Sequence, residues 1–140
     1  MDNVECSVCY EPYKMECIFE CNHSMCLTCM LEHAKNREVC HICRKKIDYT
    51  HIKIKGGLAH IFLRQLSGGS VTLSSVDLES ITSAQLHQLA ELKLYGVYTD
   101  HLRLIYAGKS LQRTKNSISI EYPKIGDCSS LHCVGLLRGD

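Results

Sequence analysis

Cysteine and histidine side chains in the first third of the chain have the types and spacing to bind metal. In chain order they are Cys6, Cys9, Cys21, His23, Cys26, Cys29, Cys40 and Cys43. Zn²⁺ prefers four tetrahedral thiolate or imidazole ligands, and a two-residue spacer lets both cysteines of one tight turn reach the same ion. These side chains therefore supply ligands for two zinc ions.

The four ligand pairs combine in one of two ways. Pairing in sequence order gives two tandem fingers, whereas pairing first with third and second with fourth gives one interlocked unit. Spacing alone does not distinguish them, although the short run from Cys21 to Cys29 makes an interlocked unit easier to build. Disulfides of a secreted domain are disfavoured, because no apolar leader follows Met1 and a histidine stands in register with the cysteines.

The order of three cysteines, one histidine and four cysteines resembles the RING finger, and every spacer falls within the range of that family. RING fingers are cross-braced, so the resemblance implies which side chains share an ion. The first zinc would be bound by Cys6, Cys9, Cys26 and Cys29, and the second by Cys21, His23, Cys40 and Cys43.

The remaining cysteines are Cys17, Cys128 and Cys133, and they are interpreted as ordinary buried or free thiols. Cys17 also precedes His23, but only Cys21 gives the family spacing. A reducing compartment suits all ten cysteines, which predicts an intracellular protein of the cytoplasm or nucleus.

Size and charge limit the remaining possibilities. A chain of 140 residues accommodates one ordinary domain or two small ones, and the compact zinc unit favours two. Residues 1–58 hold eight Lys/Arg and eight Asp/Glu, and residues 59–140 hold eight and seven. This balance predicts no nucleic-acid partner, and the absence of a long apolar run predicts no membrane span.

The second half of the chain has the pattern of a sheet with one helix. The β-branched, apolar runs 61–63 and 71–73, separated by a glycine turn, predict a β-hairpin. Leucines and alanine at helical spacing predict a helix over 83–95, with Ser80, Thr82 or Ser83 as its cap and Gly96 at its end. Two further strands follow, over 103–106 and 131–137, so the fold class is α+β.

These segments resemble ubiquitin at corresponding places along its length. The most specific stretch is Arg-Leu-Ile-Tyr-Ala-Gly-Lys at 103–109, and Ile-Phe-Leu at 61–63 and Leu-His-Cys-Val at 131–134 support it. The resemblance implies a ubiquitin-like β-grasp domain over 59–140, preceded by the RING finger at 1–48 and a linker at 49–58.

The same resemblance implies a partner-binding face. Ubiquitin binds its partners through apolar and histidine side chains on its sheet, and the matching positions keep the residue type at Leu66, Ile105, His132 and Val134. An exposed apolar cluster with a polar rim marks an interaction site. The implied partners are ubiquitin-binding proteins. For Ile105 or Val134 taken singly, burial in the core of the sheet is the competing interpretation.

The end of the sequence departs from ubiquitin. Arg138-Gly139-Asp140 stands in place of two terminal glycines, and Leu136 stands where ubiquitin has an arginine that its activating enzyme recognises. The departure favours a ubiquitin mimic over a conjugated modifier.

The RING resemblance also implies positions that bind a conjugating enzyme. Val8 matches an aliphatic contact position, and Arg44 matches the linchpin cation that bridges the conjugating enzyme and its donor ubiquitin. Ile42, next to His41, keeps a further apolar contact available. His41 stands where many active members carry proline, and His33 stands near a position that several fill with an aromatic residue. Both histidines are interpreted as surface residues.

Together these features predict a RING-type ubiquitin ligase with two Zn²⁺, a transferase without a nucleophile of its own. It would promote transfer of ubiquitin to lysine, with the ubiquitin-like domain serving partner recruitment or stabilisation in cis. One alternative is a zinc-binding adaptor without catalysis, which is suggested by His33 and His41 at or near positions where active members carry other residues. Another is a modifier precursor, because Lys55-Gly56-Gly57 resembles a cleavable tail, although glycines between domains usually form only a hinge.

Overall fold

The computed structural model describes residues 5–95 and 102–135. The expected helix end at Gly96 and the chain end from Leu136 to Asp140 lie outside the described residues. Elsewhere the chain is a mixed α and β structure with two sheets.

The first sheet is small and lies within the cysteine-rich part of the chain. Its strands are β1 (Glu16–Ile18), β2 (Ser24–Cys26) and β3 (Lys53–Lys55), in the order β2-β1-β3 with antiparallel pairing. Helix α1 (Leu27–Ala34) directly follows β2, and a short 3-10 helix (Tyr49–His51) precedes β3. The segment between the predicted domains therefore contributes a strand to the sheet of the zinc-binding part.

The second sheet has five strands and is crossed by a helix. Its strands are β4 (Ala59–Gln65), β5 (Ser70–Val76), β6 (Arg103–Tyr106), β7 (Lys109–Ser110) and β8 (Ser129–Val134). Their spatial order is β5-β4-β8-β6-β7. Strands β4 and β8 pair in parallel, and the other neighbours are antiparallel. The predicted hairpin of β4 and β5 is confirmed.

Helix α2 (Ser83–Lys93) and the alternation along the strands build the core. On β4, Ile61 and Leu63 are fully buried while His60 and Arg64 are exposed, the period of two expected for a sheet with one covered face. The helix covers that face with the buried side chains Leu86, Leu89 and Ala90. Helix α3 (Ile118–Glu121), a single turn, was not predicted.

A capping box fixes the start of α2. The Thr82 hydroxyl accepts a hydrogen bond from the Gln85 backbone N–H, and the Gln85 side chain accepts one from the Thr82 N–H, both at 3.0 Å. Thr82 is therefore the cap among the three predicted candidates.

We expect Thr82→Ala to lower the free energy of unfolding by about 1 kcal/mol, because it leaves an N–H group of the first turn without its acceptor. Urea denaturation measures the change. Thr82→Ser keeps the hydroxyl and serves as the control, so equal losses in both variants would contradict the capping role.

Within residues 5–95 and 102–135, no helix combines the length and the apolar character needed to cross a bilayer.

Candidate metal centre

The metal-binding side chains converge on two clusters. Cys6, Cys9, Cys26 and Cys29 form one, Cys21, His23, Cys40 and Cys43 form the other, and within each the ligand atoms lie within 4.8 Å of one another. The first pair along the chain thus meets the third, and the second meets the fourth. The interlocked arrangement is confirmed, and tandem fingers are excluded.

Two equivalent turns present the first and last ligand pairs. The Val8 N–H points at Cys6 Sγ and the Ile42 N–H points at Cys40 Sγ, each at 3.4 Å. Each turn is closed by a backbone bond to the carbonyl of its first cysteine, from Tyr10 at 2.8 Å and from Arg44 at 3.0 Å.

The backbone N–H groups of these turns make the two leading cysteines suitable metal ligands. Burial opposes ionisation of Cys6, but backbone N–H donors, that of Cys26 foremost, bring its pKa down to about 7. In Cys40 the effect of burial is likewise outweighed by N–H donors of Cys43 and Ile42, and the pKa is again about 7. Donors aimed at sulfur favour the thiolate, which is the form that binds metal.

The inner pairs are positioned by the small sheet and α1. Cys26 is the N-cap of α1, and its Sγ accepts a bond from the Cys29 N–H. A turn between β1 and β2 carries Cys21 and His23, with Asn22 in the left-handed region at φ 70° and a bond from Phe19 N to His23 O of 2.9 Å. The start of α1 therefore supplies Cys26 and Cys29 to the first cluster, and the hairpin turn supplies Cys21 and His23 to the second.

Distances within the clusters fit zinc. A tetrahedral site with bonds of about 2.3 Å to sulfur and about 2.0 Å to nitrogen requires ligand separations near 3.5–3.8 Å. Cys9 Sγ lies 3.8 Å from Cys26 Sγ, and His23 Nδ1 lies 3.5 Å from Cys40 Sγ. Four donors with no open position match a structural zinc site, so the chain carries two structural zinc sites.

The other cysteines lie outside both clusters, as expected. Cys17 is fully buried in β1 and burial strongly raises its pKa. Burial raises the pKa of Cys133, in the second sheet, to about 11. Cys128 is exposed.

A third group of metal-type side chains was not predicted. Glu20, Asp48 and His51 lie close together and are all exposed. Asp48 caps the 3-10 helix through bonds to Thr50, and its other oxygen lies 2.7 Å from His51 Nδ1. These local bonds account for the cluster without a ligand.

A shallow groove borders the zinc clusters. It has a volume of about 490 Å³, and its lining includes Val8, Cys29, Glu32, His33 and His41. Val8 lines the groove and is 46% exposed, and Ile42, on the neighbouring turn outside the groove lining, is 53% exposed. Arg44 is exposed as well.

Both histidines of the groove have partners other than a metal cluster. His33 Nε2 donates to the Val39 carbonyl at 2.7 Å, and His41 Nε2 shares a hydrogen bond of 3.2 Å with the Ser7 hydroxyl. Their rings meet edge to face at 6.2 Å. The Ser7–His41 bond joins the two zinc-binding turns across the groove.

The four ubiquitin-matched positions lie on or beside the second sheet. Leu66 is 81% exposed in the turn after β4. Ile105 faces His132 across β6 and β8, and Val134 pairs with Arg103. Because Leu104, Leu131 and Cys133 alternate with them and are buried, Ile105, His132 and Val134 share the face of the sheet away from α2.

Comparison with protein families agrees with the metal geometry. Residues 2–50 match the model described as zinc finger, C3HC4 type (RING finger). No curated protein matched the chain. The N-terminal part is thus a RING-type zinc finger, a kind of domain typical of ubiquitin ligases and one that generally binds conjugating enzymes.

Proposed function

We propose that the protein is a RING-type ubiquitin ligase that binds a ubiquitin-charged conjugating enzyme in the groove beside its zinc sites. The observation that carries the proposal is the pair of exposed aliphatic side chains, Val8 and Ile42, held at the tips of two zinc-binding turns. Exposed apolar side chains on a rigid surface mark a contact site. The two turns are fixed by metal, so a partner meets a preorganised surface.

Catalysis in such a ligase is positioning. The conjugating enzyme supplies the thioester, and the ligase restricts the donor ubiquitin to a geometry in which lysine can attack. Arg44 closes its zinc-binding turn in the left-handed region, at φ 62°, with its side chain exposed. A guanidinium has five N–H donors, enough to bond carbonyls on two partners at once. Arg44 is therefore our candidate for the group that bridges conjugating enzyme and ubiquitin.

We further propose that residues 59–140 form a ubiquitin-like β-grasp domain, with residues 1–48 as the RING finger and 49–58 between them. Support comes from the sequence resemblance, from the parallel pairing of β4 with β8, and from helix α2 across one face of the sheet. The segment 49–58 includes β3, which pairs with β1.

The uncovered face of that sheet is the proposed partner-binding surface. Ile105, His132 and Val134 share it, and exposed Arg64 and Arg103 border them in the register. An apolar centre with basic neighbours is complementary to an apolar partner surface bordered by carboxylates. The proposed partners are ubiquitin-binding proteins of that chemistry. Because the zinc sites need cysteines kept reduced, the proposed location is the cytoplasm or nucleus.

Lysine discharge from a panel of ubiquitin-charged conjugating enzymes tests the ligase proposal. With a responsive enzyme, we expect Val8→Arg to reduce the acceleration at least tenfold, because an unpaired charge in an apolar contact costs at least about 1.4 kcal/mol. We expect Arg44→Ala to reduce it about tenfold to hundredfold, because each lost bond from a charged donor is worth about 1.5–3 kcal/mol.

Two matched variants control this experiment. Leu58→Arg places the same charge on an aliphatic side chain that is 94% exposed and lies outside the groove. Lys45→Ala removes the exposed cation next to Arg44. Both should retain the wild-type rate. No acceleration with any enzyme, in protein that holds two zinc ions, would overturn the ligase proposal.

A second candidate function is an adaptor that binds conjugating enzymes without promoting transfer. The observation that favours it is the polar lining of the groove, where His33 and His41 are tied to Val39 and Ser7. Binding of a conjugating enzyme that is lost in Val8→Arg, without discharge in the wild type, would establish this alternative.

A further inference from the structure

The two glycines between the predicted domains are wedged between backbone segments. Gly56 has φ +120°, and a Cβ on it would lie 2.4 Å from the Lys14 carbonyl oxygen, in the zinc finger. A Cβ on Gly57 would lie 2.1 Å from the Val76 carbonyl carbon, at the end of β5. The Gly57 N–H also donates to the Ser75 carbonyl at 3.0 Å. The segment is therefore held from both sides, unlike a hinge.

A lysine of the second half reaches into the first. Lys93, in the last turn of α2, donates to the carbonyl of Ile52 at 2.7 Å and to that of Thr50 at 3.3 Å. These carbonyls lie at the end of the 3-10 helix, just before β3. Partial burial lowers the pKa of Lys93, as expected where these bonds replace water around its ammonium group. Lys93 thus joins α2 to the zinc-binding part.

Two further contacts extend the same junction. Gln85 Nε2, in the first turn of α2, donates to Thr28 Oγ1 of α1 at 3.0 Å. Ile52 and Ile54 are buried and belong to one continuous apolar cluster with the core under α2. The junction therefore has polar bonds near both ends of α2 and an apolar contact through Ile52 and Ile54.

The orientation of α1 decides where the groove opens. Its residues Cys29, Glu32 and His33 line the groove, whereas Thr28 bonds to α2 and Ala34 lines a separate cavity with Leu92 of α2. At 3.6 residues per turn, Ala34 points well away from the groove residues, whereas Thr28 is one turn from Glu32 and lies at their edge. The residues that line the groove all belong to the zinc-binding part of the chain.

The proposed partner-binding surface lies on a different element from the groove, the five-stranded sheet. Ile105, His132 and Val134 lie on the face of the five-stranded sheet that α2 does not cover. The sheet and α2 lie between this surface and α1, which bonds to α2 through Thr28 and Gln85. Packed helix axes are separated by about 8–10 Å, so this surface is not adjacent to α1.

We propose that the junction holds both halves as one rigid unit, secured by Lys93, and that the surface around Ile105 consequently binds its partner in trans. The surface does not reach the conjugating enzyme that occupies the groove of the same chain. The second part rests on the proposed function, since it requires that a conjugating enzyme binds the groove. Binding in trans favours partner recruitment over stabilisation in cis as the role of the ubiquitin-like domain.

Amide residual dipolar couplings of the zinc-loaded full chain test the rigid unit. We expect one alignment tensor to fit residues 5–55, 58–95 and 102–135 together. Two tensors of different magnitude would overturn the proposal. Lys93→Met keeps the apolar stem and removes the donor, so we expect a measurable divergence of the two tensors. Lys115→Met, at an exposed lysine of the second half, is the control. Unchanged couplings in Lys93→Met would overturn the role of Lys93.

Titration with a conjugating enzyme that carries ubiquitin in a stable ester tests the trans geometry. We expect the amide signals of Val8 and Ile42 to shift, while those of Ile105 and His132 stay in place. Shifts at Ile105 that are independent of protein concentration would overturn the proposal, because they would report a contact in cis. If no conjugating enzyme binds, the proposed function fails, and the dipolar couplings still decide whether the unit is rigid.

Discussion

Removal of zinc is expected to unfold the first part of the chain, up to β3. A unit of this size buries too little apolar surface to fold alone, and binding at one structural site contributes an apparent free energy of about 10–16 kcal/mol in small finger peptides. Buried Ile52 and Ile54 join this part to the core under α2, so α2 should also lose protection. Hydrogen exchange before and after chelation measures both effects, and metal analysis should give two zinc ions per chain.

Single cysteine variants separate the ligands from the other thiols. We expect Cys40→Ser to release one zinc ion and to expose the amides of β1 and α1 to exchange, because serine does not replace a thiolate ligand. Cys128→Ser, at an exposed cysteine outside both clusters, should change neither the zinc content nor the exchange. A chelated protein with unchanged exchange throughout the first part would contradict a folding role for zinc.

The metal sites were predictable from the sequence because their chemistry is local. Each pair of ligands lies on one turn or helix start, so residue type and spacing already specify half a site. Which two ligand pairs share one zinc ion is a property of the fold, and the spacing of the ligands did not determine it. The family resemblance supplied the cross-brace, and the positions of β1, β2 and α1 explain it physically.

Other features depend on contacts that spacing does not encode. The apolar runs 61–63 and 71–73, with the glycine turn between them, predicted β4 and β5, since a hairpin is specified by local sequence. Gly56 and Gly57 were expected to form a hinge, because a glycine pair gives no sign of the backbone that will pack against it. The contacts of Lys93 were not predictable from the sequence either, because the carbonyl groups that accept its hydrogen bonds are distant from it along the chain.

Gly57→Ala is expected to lower the free energy of unfolding by about 1–3 kcal/mol. The new Cβ would lie 2.1 Å from the Val76 carbonyl carbon and 2.2 Å from the Asp77 nitrogen. These are backbone atoms at the end of β5, so relief requires moving the strand end or separating the two halves. Urea denaturation followed by circular dichroism measures the loss.

The sign of this change distinguishes a packed junction from a hinge. In a flexible linker, Gly→Ala is neutral or stabilises by about 0.4–1 kcal/mol, because alanine reduces the entropy of the unfolded chain. Gly126→Ala is the matched control, since a Cβ at Gly126 meets nothing within 4 Å and its φ lies outside the left-handed range. We therefore expect Gly126→Ala to leave stability unchanged or slightly raised. If Gly57→Ala behaves in the same way, the halves are joined by a hinge and the rigid junction is wrong.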